Sequence, residues 1–596
     1  MLQLAQKYFE ISLLDQKVRC QPKSEDVLTN QQAIKLLTDL RRHKQNTMFL
    51  LSNQGQSLLT ATTLVAVDIE TTSLNPSDGD IRLISVFSEE NQFVTEDVAQ
   101  VADILKDESI LKVFHNAAFD ATWLTAKGYP VVNYTDTMLM GQVLHNTAKS
   151  NNSLLALAFE HLGIILDKTL QAETNWQSDI TEDHKRYALK DAEVTYHLYH
   201  QLKAKIAEKH LDVVLDREVA MLPVVVLLNL NGIPFDYAGW QQELDAIEKE
   251  ASSLETYITE LFQIPTLNLS SHQQVKAALL SEGIELDSVT DESLAKVEHL
   301  HEVIPVLRKY KKLKKLLSTY GEKLAKHIGQ DGRLRGQWRV IGTDTSRMSC
   351  KAPNLQGLPS IAKPYVKASK GNVFVIADYS TIELRILAEI TKDPELIAAF
   401  QTGEDLHAKT TGAVLGKPPG QAITSEERKI GKVINFGLLY GMTAYGLQRK
   451  IQAATGQVLS KDEAEVFRNR YFELYANVLT YQNQMLQSDC IFTLGGRYWS
   501  AETTELRKGA ISRFNYPIQS SGAEGVKEAL KFLLPKLQEE WKLIAAVHDE
   551  IVLEVPLADA NQAKEILLET MQRGMSQIIP SIPIEVDIKI ESYWSK

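Results

Sequence analysis

The chain has 596 residues, enough for several domains, and its 44% hydrophobic and 23% charged residues are ordinary for a globular protein. No apolar run reaches membrane-spanning length, no secretory core precedes Glu10, and Cys20, Cys350 and Cys490 are too scattered for a disulfide framework or a zinc cluster. A net charge of −12 argues mildly against a nucleic-acid partner, unless acids gather at metal sites and bases gather in a groove.

Residues 1 to about 60 carry a helical pattern over 30–42 and little chemistry. LVAVDIETT then reads as a strand, and its period of two puts Asp68 and Glu70 on one face. Strands over 81–87 and 92–95 extend the sheet. KVFHNAAFDATWL offers Asp120 near the start of a helix, and RYALKDAEVTYHLY offers Tyr187 and Asp191 one helical turn apart. Four acids and a tyrosine converge if this stretch folds as an α/β sheet flanked by helices.

Residues 211–236 read as an amphipathic helix stopped at Asn231-Gly232, with 221–230 apolar enough to be buried. Residues 237–326 are mostly helical and end in the basic run RKYKKLKKLLSTYGEKLAK, which suits either a solvated helix face or the tracking of phosphates. Residues 343–359 read as a loop from which Arg347, Asn354 and Gln356 can reach phosphates, sugars or base edges.

In NVFVIADYSTIELRILAE a β-type run ends on Asp378 and a helical period follows. VHDEIVLEV, read as a second strand, offers Asp549 and Glu550. Two acids held side by side at strand ends make an oxygen site for two hard cations, the arrangement used for in-line attack at phosphorus. Either motif alone is weak, since Asp378 also fits a strand-end cap and His-Asp-Glu a hairpin turn. TSEERKIGKVINFGLLYGM opens with the capping-box pair Thr424 and Glu427. Arg428, Lys432, Phe436 and Tyr440 then recur every four residues, two cations and two aromatics on one stripe, which suits a nucleotide better than a core. Gly437 and Gly441 let this helix bend or end. Further on, TLGGRYW reads as a hairpin turn, Gln519 as preceding a helix, and IEVDIKIESYW as a strand with a short tail.

The D-x-E, N-x-x-x-D and Y-x-x-x-D series over about 60–205 resembles the proofreading 3′–5′ exonucleases of ribonuclease H-like fold. DYSTIELRILA, RKIGKVINFGLLYG and VHDE resemble the three motifs of family A DNA polymerases, of the bacterial polymerase I large-fragment type without a 5′ nuclease domain. The resemblance implies an α/β and α+β multidomain fold. A ribonuclease H-like exonuclease domain at 1–210 precedes a right-hand polymerase domain at 211–596, with the thumb at about 237–326, the palm at about 327–400 and 490–596, and the fingers at about 401–489. It implies template-directed addition of dNTPs to a primer 3′ end, with proofreading, in replication or repair.

By the same resemblance Asp68, Glu70, Asp120 and Asp191 bind two Mg²⁺ and Tyr187 orients the attacking water. Asp378, Asp549 and the Tyr379 carbonyl bind two more, with Glu550 auxiliary and Mn²⁺ a possible substitute. Arg428 and Lys432 hold the triphosphate, and Lys432 protonates the leaving pyrophosphate. Phe436 stacks on the incoming nucleotide and Tyr440 closes the pocket beside the template base. Glu383 fills the space of a ribose 2′-hydroxyl. Arg347 and Gln519 read the minor groove, His548 lies by the primer end and Asn515 near the template. The implied partners are primer-template DNA and dNTPs; a monomer in the cytoplasm or an organelle, with no membrane, is expected. No large insertion stands in 237–326 to dock a processivity factor. Thr381, Ser346, Cys350, Ile511 and Ser520-Ser521 depart from the family's usual residues without removing a metal ligand. A single-subunit RNA polymerase would resemble Gly and Tyr at positions 383 and 436, and a degenerate binding subunit would have lost carboxylates.

Overall fold

The computed structural model describes residues 9–14, 17–22, 63–147, 150–167, 176, 178–418, 420–500 and 509–595. The helical pattern over 30–42 lies outside them. β1 (Phe9–Leu14) and β2 (Lys17–Pro22) pair as an antiparallel hairpin that the sequence did not advertise.

A five-stranded sheet follows, built from β3 (Leu64–Thr71), β4 (Ile81–Phe87), β5 (Gln92–Thr95), β6 (Leu111–Phe114) and β7 (Tyr134–Asp136) in the order β5-β4-β3-β6-β7. β3 pairs antiparallel with β4 and parallel with β6. Val65, Ala66 and Val67 are all buried, as a strand covered on both faces requires. α1 (Ala117–Ala126) crosses from β6 to β7, and α2 (Thr137–His145) and α3 (Leu154–Leu162) come next. α4 (Glu182–Glu208) packs across β3 and β4.

Residues 211–236 form two helices, not the one expected. α5 (Asp212–Val219) ends before Pro223, which sits in the first turn of α6 (Leu222–Asn231), where its missing N–H is harmless. α6 is buried at Leu222, Val224, Val225, Val226 and Leu228, and Gly232 (φ +56°) ends it. It packs on α1 and on a strand of the second half, so one core runs through both halves.

α7 (Tyr237–Leu261) and α8 (Val303–Tyr320) pair around a smaller core containing Ile258, Leu307 and Tyr310. Part of the basic run is engaged within the fold. Arg308 bonds Asp291 at 2.8 Å and Lys311 donates to the Val289 carbonyl at 2.9 Å, whereas Lys312, Lys314 and Lys315 face solvent.

The second half centres on a four-stranded antiparallel sheet. The elements of this half that bear on the site are β8 (Asn372–Tyr379), α9 (Ile382–Thr391), α10 (Leu406–Leu415), α11 (Ser425–Leu439), the hairpin β9 (Cys490–Phe492) and β10 (Tyr498–Ser500), α12 (Ala510–Leu533), β11 (Lys542–Val547), β12 (Glu550–Pro556), α13 (Ala560–Ser576) and β13 (Val586–Glu591). The sheet order is β11-β12-β8-β13. α12 and α13 pack closely because Gly574 has no Cβ to collide with the Ala529 backbone. Gln519 lies inside α12, not ahead of it. The helix runs through Pro517, and burial of Tyr516, Ile518, Ser520 and Ser521 outweighs the roughly 3 kcal/mol an internal proline costs.

A buried ion cluster ties α5 to the elements of the second half. Glu218 accepts from Arg497 Nη2 at 2.6 Å and from Lys527 Nζ at 2.5 Å, and Lys527 also donates to the Ser346 carbonyl at 2.6 Å. No helix among the described residues is long and apolar enough to cross a membrane.

Candidate active sites

In the first half, the pleat of β3 sets Asp68 and Glu70 on one face and α4 brings Asp191 against them. Ligand oxygens of these three lie within 4.8 Å of one another. Asp120, in the first turn of α1, is buried beside Asp68, and burial together with the Asp68 charge pushes its carboxyl well above the usual range. Burial, then the carboxylates of Asp191, Glu70 and Asp68, push the Tyr187 phenol up. The five residues expected to converge do converge. Carboxylates crowded this closely disfavour one another's charge, and an oxygen-only donor set fits a hard divalent cation that relieves the repulsion.

Asp136 was missed. Its carboxylate, at the end of β7, accepts the N–H groups of Asn116 (2.9 Å), Ala117 (3.1 Å) and Met138 (2.8 Å). It therefore pins the start of α1, which carries Asp120, and caps α2. Burial pushes it up to about 6 against the pull of these bonds. The signal was present as Asp before an apolar helical run, an N-cap pattern.

In the second half, β8 carries Asp378 to its end, in register with Glu550 on β12. Asp549 is not inside a strand. It occupies, with His548, the two-residue turn between β11 and β12, and His548 takes φ +58°. The Asp549 carbonyl accepts the Tyr379 N–H at 3.3 Å, so the turn is fastened to the end of β8. Asp378 and Asp549 share the wall of a cleft of about 540 Å³ with Lys432, Phe436, Glu383 and His407. The Tyr379 ring points away, its hydroxyl donating to the Met571 carbonyl at 2.6 Å, which leaves its backbone at the cleft.

α11 starts at the Thr424–Glu427 capping box, as expected, and ends at Leu439, with Tyr440 as its cap and Gly441 at φ +73°. Arg428 is paired with Asp405 at 2.6 Å. Glu383 is held at both oxygens, by Arg347 Nη2 at 3.1 Å and by the Tyr440 hydroxyl, to which Gln519 donates at 3.5 Å. Arg347, Gln519 and His548 also line the cleft. Four expected residues stand outside its lining, and Tyr440 is one of them, touching the cleft through Glu383. Arg428 reaches out to Asp405. Glu550 is buried and accepts from Trp594 Nε1 at 2.9 Å. Asn515 lies on α12 one turn before Gln519.

His407 was also missed. Its ring packs on Phe436 with centroids 5.8 Å apart, and Asn435 Nδ2 donates to its Nδ1 at 2.9 Å. Nε2 therefore carries the proton. Burial, then Arg428 and to a lesser degree Lys432, hold this imidazole down at about 4, so it is a neutral donor at physiological pH. Only the Asp405 cap before α10 hinted at an ordered position here.

A sheet that offers paired carboxylates to a cleft faced by a cationic and aromatic helix defines the palm of a right-hand polymerase. A separate sheet with four acids and a tyrosine defines a ribonuclease H-like exonuclease. The chain belongs to DNA polymerase family A: residues 239–596 match the model described as DNA polymerase family A, and residues 47–207 match the 3′–5′ exonuclease model. It is similar to DNA polymerase I of Aquifex aeolicus, 32% identical over 574 residues, covering 89% of this chain and 95% of the relative. DNA polymerase I of Pseudomonas aeruginosa is 28% identical over 597 residues, covering 89% of this chain; the chain spans 63% of that relative's length. In fold it matches the solved POL domain of Pol1 from M. smegmatis in complex with DNA primer-template and dNTP, with a TM-score of 0.78 at 22% identity over 89% of this chain and 95% of that one. The enzyme class is DNA-directed DNA polymerase with 3′–5′ exonuclease. Both kinds of domain work with divalent metal ions.

Proposed function

We propose that this chain extends a DNA primer along its template with dNTPs and removes a mismatched 3′ end at its second site, in replication or repair. The observation that carries the reading is the meeting of Asp378 and Asp549, 171 residues apart in the chain, on one cleft wall with Lys432 and Phe436. The domain division follows the same reading: exonuclease at 1–210, polymerase at 211–596, with the thumb at about 237–326 and the fingers at about 401–489.

At the polymerase site Asp378, Asp549 and the Tyr379 carbonyl would hold two Mg²⁺, and at the exonuclease site Asp68, Glu70, Asp120 and Asp191 would hold two more, with Mn²⁺ able to replace them. Ions so bound supply Lewis-acid activation of the attacking oxygen and neutralise charge on the leaving group. Lys432 serves as general acid to the departing pyrophosphate. Arg428 exchanges Asp405 for the triphosphate, and His407 offers its Nε2 proton to the same anion. Phe436, backed by the His407 ring, packs on the base or sugar. Glu383, immobilised by Arg347 and Tyr440, excludes a 2′-hydroxyl. Tyr440 closes on the template base, Arg347 and Gln519 take minor-groove acceptors, and His548 and Asn515 contact primer end and template. Glu550 acts through packing at the turn, consistent with its bond to Trp594. At the second site Tyr187 orients the attacking water. The partners are primer-template DNA and dNTPs, met by a monomer in the cytoplasm or, in a eukaryotic source, an organelle.

The test is extension of a primed template with dNTPs and Mg²⁺, one substrate carrying a mismatched 3′ end. Extension of the paired primer and trimming of the mismatched one are expected. A folded protein that does neither contradicts the reading.

A further inference from the structure

Away from both active sites, the ends of α2, α3 and α4 bring together His145, Glu160, His161 and Lys205. Ligand atoms of His145, Glu160 and His161 lie within 4.8 Å of one another. The histidine rings stand nearly parallel, 21° apart, at 6.3 Å. The hydrogen bonds fix which nitrogen faces the cluster. Asn152 Nδ2 is committed to the Ser150 carbonyl at 3.0 Å, so its Oδ1 accepts from His145 Nδ1 at 2.8 Å. That leaves the lone pair of His145 Nε2 turned toward Glu160 Oε1, 3.2 Å away. Two acceptors at this separation repel unless a proton or a metal ion lies between them. His161 Nε2, buried and without a hydrogen-bond partner among the described residues, lies 3.7 Å from the same oxygen.

We infer that His145, Glu160 and His161 form a binding site for a first-row transition dication of the zinc type, with Asn152 orienting His145 from outside. Two imidazoles and one carboxylate suit such an ion and disfavour Mg²⁺, which prefers oxygen alone. Ligands about 2.0–2.1 Å from a tetrahedral zinc stand roughly 3.3 Å apart. The His145–Glu160 separation already matches, His161 lies 3.7 Å from the same oxygen, and the two imidazole nitrogens need to close by no more than about 1.5 Å, a small rotation of the rings. Lys205 opposes the ion. Its ammonium donates to His161 Nδ1 at 2.7 Å, and metal on Nε2 requires that nitrogen to carry a proton instead, so Lys205 must swing into solvent.

The site would staple α2 to α3 just before the segment that docks on the polymerase half. There the Asn146 carbonyl accepts from Trp499 Nε1 at 3.0 Å, its Oδ1 accepts from Arg497 at 2.9 Å, and Thr147 donates to Asp344 at 2.9 Å.

The test is Zn²⁺ retention after equilibrium dialysis, with Co²⁺ absorption as the signature of nitrogen ligation. It uses the full chain carrying Asp68→Ala, Glu70→Ala and Asp549→Ala, so that the oxygen sites do not count, and circular dichroism checks the fold. One Zn²⁺ per chain is expected, with a rise in Tm. His145→Ala and His161→Ala should each weaken binding by more than the roughly 10–100-fold expected for Asn152→Ala. Lys205→Gln, which removes the competing cation and offers an acceptor to Nδ1–H, should tighten it. No retained zinc, or affinity unchanged in both histidine variants, overturns the proposal.

Discussion

Replacing Glu383 by alanine should admit ribonucleotides, and the structure sets the size of the effect. The side chain is anchored at both oxygens by Arg347 and Tyr440, and only 18% of it is exposed. Burial, then the Glu383 charge, push the Tyr440 phenol up, so that anchor stays a donor at any working pH. A 2′-hydroxyl brought against this carboxylate has two routes. It overlaps the group, at the roughly 1–3 kcal/mol typical of overpacking. Alternatively it drives Glu383 off both partners and breaks two charge-assisted hydrogen bonds, at roughly 1.5–3 kcal/mol each. The first route is lower in energy and sets the discrimination that exclusion supplies, roughly 5- to 150-fold in kcat/KM for dNTP over rNTP. Glu383→Ala should forfeit that factor. Glu383→Gln keeps the shape and should keep most of it, and Tyr440→Phe, which frees one oxygen, should fall between. Single-nucleotide insertion with matched dNTP and rNTP measures the ratio. The reasoning is refuted if Glu383→Ala leaves the ratio at the wild-type value, or if Glu383→Gln behaves like Glu383→Ala.

Three further outcomes are expected. Lys432→Ala should slow single-turnover insertion by about 10²–10⁴, the usual worth of a positioned general acid, and leave exonuclease turnover alone; a loss below about tenfold on that scale contradicts the role. His407, held at about 4 against an ordinary 6.5, binds its proton in the unfolded chain first as the pH falls. Its contribution to stability is therefore whole above about 6.5 and lost as the pH drops toward 4, so His407→Gln should flatten the dependence of Tm on pH across that window, and an unchanged slope rejects the assignment. Ser346 sits at φ +53°, where an L-residue costs roughly 1–2 kcal/mol. Glycine's greater freedom when unfolded offsets part of this, so Ser346→Gly should stabilise by about 0.5–1 kcal/mol in urea denaturation, and a lower midpoint would count against the strain.

What could be read from the sequence was local and periodic. Asp68 and Glu70 followed from the two-residue pleat, Tyr187 and Asp191 from one helical turn, and the α11 stripe from its capping box and a spacing of four. Features that need long-range packing or unusual backbone were not legible. The turn that carries Asp549 has His548, not glycine or asparagine, at its positive φ, so VHDEIVLEV read as a strand, with the hairpin turn only as the alternative that the structure bears out. α12 passes through Pro517 because tertiary burial overrides the local penalty. Glu550 finds Trp594 from 44 residues away, and Glu218 meets Arg497 and Lys527 across about half the chain; no spacing rule encodes either. Asp136 and His407 were hidden as ordinary cap and helix residues, and their roles emerge only from what packs around them.

The central claim is that two separate carboxylate clusters perform two separate reactions, and a reciprocal separation of function tests it. Asp549→Ala and the Asp68→Ala, Glu70→Ala pair should be compared on one primed template, with a matched and with a mismatched 3′ end, in Mg²⁺. The account predicts that the first variant still trims the mismatch but does not extend, while the second extends the matched primer but does not trim. A folded Asp549→Ala protein that extends at the wild-type rate, or either variant losing both reactions together, would contradict it.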